Sequence, residues 1–271
     1  GHKKYFGTLY VPMNARFLIN DGQHRRAAIE LALKENPDLG DETIAVVLFV
    51  DAGLERCQQM FADLNKHAVR PSKSISILYD HRDSLASLAV DLTNEVPIFI
   101  GLTDMEKTTI SNRSTSLFTL NAIYQATNAL LGKKKNDEAV ENDKDLACAY
   151  WTRIGEVIPE MRLVIKRKVS TSELRTNYVH SHGVALQALG EVGHDLVNLY
   201  PEDWKERLSV LENVDWRRAN TAIWEGRAMS SGKMSKSRTN VSLTVSWIKH
   251  VLNLPLTEKE LEYEALLESE E

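Results

Sequence analysis

The chain has 271 residues, 43% hydrophobic and 26% charged, a balance that excludes a disordered or fibrous chain and leaves room for one large domain or two ordinary ones. No apolar run approaches the roughly 20 residues that cross a bilayer, and no signal peptide opens the chain. Its two cysteines, Cys57 and Cys148, lie far apart, which argues against a disulfide scaffold or a cysteine-rich zinc site and points to a cytoplasmic protein. The formal charge of −5 hides a division, because the tail from Glu258 to Glu271 carries seven glutamates against one lysine.

In chain order, residues 5–11 are rich in β-formers. They follow Gly1 so closely that an upstream segment is expected. Residues 15–19 are a short apolar strand candidate. Residues 23–35 read as a helix, with Ala28, Leu31, Ala32 and Glu35 on one face, ended by Asn36-Pro37-Asp38-Leu39-Gly40. "TIAVVLFV" (43–50) is the clearest strand, and its continuous apolar character predicts burial on both faces. A helix over 52–66 follows, with Cys57, Met60, Phe61 and Leu64 sharing a side. After Pro71 the pattern turns helical, over 74–94, 116–131, 146–158, 171–199 and 240–252. "VPIFIG" (96–101) is the one good strand there, and the charged stretch 132–145 reads as a disordered connector. The reading is therefore α+β: a small α/β domain over 1–73, then a mainly α-helical region over 74–271 with an acidic tail.

The junction "INDGQHRRAAIE" (19–30) concentrates polar groups where strand gives way to helix. Gly22 permits a positive φ and close backbone approach. A helix starting at Gln23 has unpaired N–H groups and a partial positive charge at its start, which attract phosphate or carboxylate. Arg25 or Arg26 could add a bidentate contact, and His24 could donate, accept or shuttle a proton. Asp21 suits the N-cap. The same residues also make an ordinary capped turn. A second segment, "MFADLNKHAVRPSKS" (60–74), closes the next helix with Asn65, Lys66, His67, Arg70, Ser72 and Lys73. It brings further donors to the same mouth or compensates the helix dipole.

With "DGQHR" at 21–25, an apolar strand, and then this Phe61-Ala62-Asp63-Leu64-Asn65 stretch, the chain resembles the DGQHR-domain family, most closely its DndB members. The resemblance covers most of the chain and implies a repressor that binds the promoter of a DNA phosphorothioation operon. Gly22, Arg25 and Ala28 also fall on the Gly-x-x-Arg-x-x-Ala turn–helix of ParB-like and sulfiredoxin-like domains. By that analogy Asp21, Gly22, Gln23, His24 and Arg25 would meet a phosphate or nucleotide such as ATP, with Asn65 and Arg70 on its second side. Gln23 and His24 stand where a sulfiredoxin has its cysteine, which argues against sulfur-transfer chemistry.

Two basic clusters offer a DNA surface. One holds Arg162, Lys166, Arg167, Lys168 and Arg175; the other holds Arg217, Arg218, Arg227, Lys233, Lys236 and Arg238. From these, Arg162, Lys166, Arg167, Lys168, Arg227, Lys233, Lys236 and Arg238 are the expected phosphate contacts. Solvated helix faces would look the same. "GKMSKS" (232–237) copies a class I aminoacyl-tRNA synthetase signature, but no His-x-Gly-His accompanies it, so a flexible basic loop is expected. His180 and His182 do not share a helix face and read as structural, and no metal site is expected. In "WRRANTAIW" (216–224) the tryptophans read as core.

The expected partners are promoter duplex DNA, with a nucleotide and a second copy of the chain as further candidates, and no membrane. The rival readings are an enzyme and a protein-interaction module. The enzyme would be a nucleotide hydrolase or nuclease with His24 as acid–base and Arg25 as charge stabiliser, Mg²⁺ being held by Asp21 and Asp63.

Overall fold

The computed structural model describes residues 10–15, 17, 19, 22–48, 71–134 and 137–270. The chain separates into two units, Gly1–Arg70 and Pro71–Glu271.

In the first unit, α1 (Gln23–Glu35) starts at Gly22 and ends at Asn36. The Asn36 side chain accepts from the Asp38 amide at 3.2 Å and opens a 3-10 turn over Pro37–Asp41. Arg26 and Glu30 pair one turn apart at 2.7 Å, a modest addition to an exposed helix. None of α1 is fully buried. The strand expected at 43–50 is not found over its described part: residues 43–48 carry no strand assignment, and Val46 and Val47 are 68% and 77% exposed. A strand exists only through a partner's hydrogen bonds, and none of the first unit's described residues lies in a strand. The helix expected at 52–66 lies outside the described residues.

The second unit is mainly helical. Its helices are α2 (Lys73–Leu78), α3 (Ser84–Glu95), α4 (Leu120–Leu130), α5 (Glu141–Val157), α6 (Pro159–Ile165), α7 (Thr171–Asn177), α8 (Gly183–Leu199), α9 (Trp204–Arg207), α10 (Thr221–Trp224), α11 (Arg238–Val251) and α12 (Glu258–Glu270). Two small sheets join them: β1 (Thr103–Asp104) parallel to β2 (Phe118–Thr119), and β3 (Met229–Ser230) antiparallel to β4 (Lys233–Met234). Short polar side chains start the helices by accepting their first amides. Asp83 takes Leu85 and Ala86, Thr119 takes Ala122, and Ser237 takes Asn240.

The centre is α8, packed along α4 on one side and α11 on another. Small residues allow the α4–α8 approach: a Cβ on Gly190 would stand 2.2 Å from the Ala126 carbonyl oxygen. Around the pair, Phe99, Phe118, Tyr150 and Trp151 form a buried aromatic cluster with ring centroids 5.1–5.9 Å apart. Their buried polar ends are matched, as burial requires. The Tyr150 hydroxyl donates to the Leu189 carbonyl at 2.6 Å, and the Trp151 indole to the Thr127 hydroxyl at 3.1 Å.

Four expectations change, the first being the helix over 74–94, which breaks between Leu78 and Ser84 into α2 and α3. "VPIFIG" is no strand: Val96, Ile98 and Phe99 are buried, but Phe99 and Ile100 donate back to the Val96 carbonyl and wind the segment into turns. A short apolar run cannot distinguish these outcomes by periodicity. The helix over 171–199 breaks at Tyr178–His182, where Tyr178 forms a β-bridge with Arg217 and a 3-10 turn intervenes. The connector at 132–145 gives way to α5 at Glu141, where Asp143 accepts the Val140 amide and pairs with Lys133. Among the described residues no helix is long and apolar enough to cross a membrane.

Candidate nucleic-acid interface

Gly22 has φ 101° and stands at the N-cap of α1 with no side-chain cap, the conformation for which glycine is suited. The Gln23 side chain donates through Nε2 to the Ile19 carbonyl at 2.9 Å, and His24 is exposed on the first turn. A Cβ on Gly22 would lie 3.6 Å from an Arg25 guanidinium nitrogen, so the Arg25 side chain folds back over the turn. Asp21, Asp63, Asn65 and Arg70 lie outside the described residues.

The two basic clusters of the second unit divide by environment. Arg175 is 6% exposed. Its guanidinium donates to the carbonyls of Ile110, Ser111, Leu117 and Ser181 at 2.6–3.1 Å, and burial lowers its pKa to about 10. It therefore ties the 110–117 loop to the α7–α8 break and does not face solvent. Arg162 pairs with Glu212 at 2.7 Å. Lys166, Arg167 and Lys168 are exposed at the end of α6 and make no ion pair with described residues. Arg167 sits at φ 55°, and the amides of Arg167 and Lys168 close the helix by donating to Val164 and Leu163.

The segment after Trp224 is an ordered hairpin and not a flexible loop. Ser231 and Gly232 both have positive φ, at 51° and 72°, as a tight two-residue hairpin turn demands. The Glu225 carboxylate accepts the Gly232 backbone amide at 3.2 Å, and the Asn240 side chain donates through Nδ2 to the carbonyls of Gly226 and Arg227. Lys233 is thereby held outward on β4. Arg238, the first residue of α11, is also exposed. Lys236 donates to Gln125 Oε1 at 2.7 Å beside Gly183, where burial of its ammonium lowers its pKa to about 8. Arg227 turns inward and forks onto Glu264 of α12, one arm at 2.7 Å.

The hairpin borders an open cleft of about 510 Å³, lined in part by Thr176, Asn177, Tyr178, Arg217, Arg218, Thr221 and Gly232. Arg218 spans it, donating to the carbonyls of Thr176 and Gly232 at 3.2 Å each. Arg217 is clamped by Asp215 at 2.7 and 2.8 Å, which holds the Asp215 carboxyl down to about 2. Both guanidinium groups keep N–H groups that make no hydrogen bond among the described residues. The sequence reading did not place Arg217 and Arg218 among the phosphate contacts. Their signal is the neighbouring Trp216, which is 2% exposed and stacked on Trp224 with centroids 5.2 Å apart. That anchor fixes the extended segment that carries both arginines.

Of the histidines, His182 bonds the Arg175 carbonyl at 2.8 Å, and burial pushes its pKa to about 3. His180 is fully buried, stacks on Tyr178 and faces Glu160 at 3.5 Å. Burial lowers the pKa of this imidazole against the opposing pull of Glu160, while the imidazole's proximity holds the Glu160 carboxyl below the usual range. Among the described residues no group of three His, Cys, Asp or Glu side chains could hold a metal ion.

Residues 1–255 match the model of the DndB family, described as DNA-sulfur modification-associated. The chain belongs to the DndB family. This agrees with the resemblance read from "DGQHR" and the Phe61–Asn65 stretch, and it associates the chain with DNA sulfur modification. No curated protein matches the chain. No solved structure matches it either. The ParB-like and sulfiredoxin-like parallels of the turn gain nothing from these comparisons. The candidate surface of this DndB-family chain comprises an exposed α6 end, a hydrogen-bonded hairpin and a cleft that Arg217 and Arg218 help to line.

Proposed function

We propose that this DndB-family chain is a DNA-binding repressor of a DNA phosphorothioation operon. The observation that carries the reading is the cleft rim, where Arg217, Arg218 and Lys233 offer cationic donors on an ordered frame. Guanidinium groups match phosphate oxygens two at a time, and contacts of this kind position a protein on duplex DNA without reading its sequence. Lys166, Arg167, Lys168 and Arg238, all exposed, extend the same chemistry. The Gly22–Arg25 turn is assigned a separate phosphate-bearing ligand, with the positive φ of Gly22 and the exposed His24 in support.

Titration of the full chain with its promoter duplex over a series of salt concentrations tests the reading. Affinity should fall steeply with salt. Arg218→Ala and Lys233→Ala should each weaken binding across all sequences and lower the salt slope by about one. Wild-type binding that neither variant changes removes the rim from the interface. A wild-type protein that binds no promoter duplex at low salt overturns the regulator reading.

A further inference from the structure

The acidic tail is a helix, and it lies on the body. Thr257 and Glu260 start α12 by accepting each other's amides at 3.3 and 2.8 Å. The helix then packs along α11. Glu260 meets Lys249 at 2.7 Å, Glu264 meets Arg227 and the Ser246 hydroxyl, and Leu267 covers Gly226. The family match ends at residue 255, before α12 begins.

The two ion pairs differ. Lys249 also pairs with Asp195 of α8 at 2.6 Å, so it keeps a carboxylate whatever α12 does. Arg227 has no second acid: besides Glu264 it meets only the Leu243 carbonyl among the described residues. A guanidinium fork beside a serine hydroxyl is a donor set for a phosphate, and a carboxylate is the protein group closest to one in charge and bite. Leu261 and Leu266 of α12 are 54% and 61% exposed, so Leu267 and the two ion pairs carry much of the contact.

We infer that the face formed by Arg227 and Ser246 is a DNA-phosphate contact of its own, covered by α12, whose Glu264 stands in for the phosphate. The tail then limits DNA affinity until it lifts. This inference rests on the regulator reading.

The test compares full-length wild type, Glu264→Gln, Arg227→Ala and the double variant on the promoter duplex. Glu264→Gln should bind more tightly with a salt slope steeper by about one, because one more cation meets a phosphate. Arg227→Ala should bind more weakly than wild type, and on that background Glu264→Gln should add no affinity and no salt slope. Hydrogen exchange on unmodified protein gives a second measure: the amides of 258–267 should exchange faster when duplex is bound. Wild type and Glu264→Gln binding equally, with α12 equally protected with and without DNA, overturns the inference and leaves the regulator reading standing. No binding by any of the four proteins overturns both.

Discussion

Arg175 and Arg218 are both held by backbone carbonyls, but they belong to different regions of the second unit. Arg175 lies inside the helical body, and its four acceptors come from the 110–117 loop and the α7–α8 break. Arg218 lies on the cleft rim, where two carbonyls hold it open to solvent. In the body, polar groups are turned on the protein itself. On the rim they are steadied and left with donors to offer. Charge counted along the sequence does not separate the two uses; the number of acceptors around each guanidinium does.

Breaking the body should have the largest effect. Arg175→Met strands carbonyls on both sides of the loop junction and should cost on the order of 3 kcal/mol, seen as a lower urea midpoint. A loss below about 0.5 kcal/mol would mean the rim and body arginines are equivalent surface groups. Next, Gly190→Ala drives a methyl into the Ala126 carbonyl and should cost about 1–3 kcal/mol, through separation of α4 from α8. Thermal melts would show it.

The third test concerns pH. His182 titrates near 3 in the folded body, whereas an unfolded chain binds that proton near 6.5. Stability from this group is therefore complete above about pH 6.5 and falls by about 1.4 kcal/mol for each pH unit below it, down to the folded value. His182→Asn should flatten that slope in urea titrations between pH 6 and 4, and an unchanged slope would assign it to another group.

Much of this was legible in advance where a local rule decided the outcome. Residues 23–35 match α1 in their bounds, although Gly22 and not the expected Asp21 stands at its N-cap. Trp216 and Trp224 read as core and are buried. The family was legible because "DGQHR" and the Phe61–Asn65 stretch are chemically distinctive. What failed depended on partners distant in sequence. "TIAVVLFV" needed a strand beside it, and "VPIFIG" was wound into turns by a core it had no means of announcing. Arg227 looked like Arg238 in sequence, and only the return of Glu264 from the tail distinguishes them. For the candidate site, the sequence located the basic stretches. It could not tell Arg217 and Arg218 from their neighbours, because the cleft joins residues 176–178 to 217–232.

Asp215 has a consequence beyond the cleft wall. Its carboxylate grips Arg217 by two bonds and accepts from Asn220, while its carbonyl takes the Trp224 indole. Arg217 is therefore already held in one direction, so under the proposed DNA-binding function it would lose less rotamer freedom on meeting a phosphate. The pair is also close to neutral, so Arg217 brings direction more than charge, and long-range attraction falls to Arg218 and Lys233. Mutations at Asp215 would then act mainly on how long a bound anion stays, and those at Lys233 on how fast it comes.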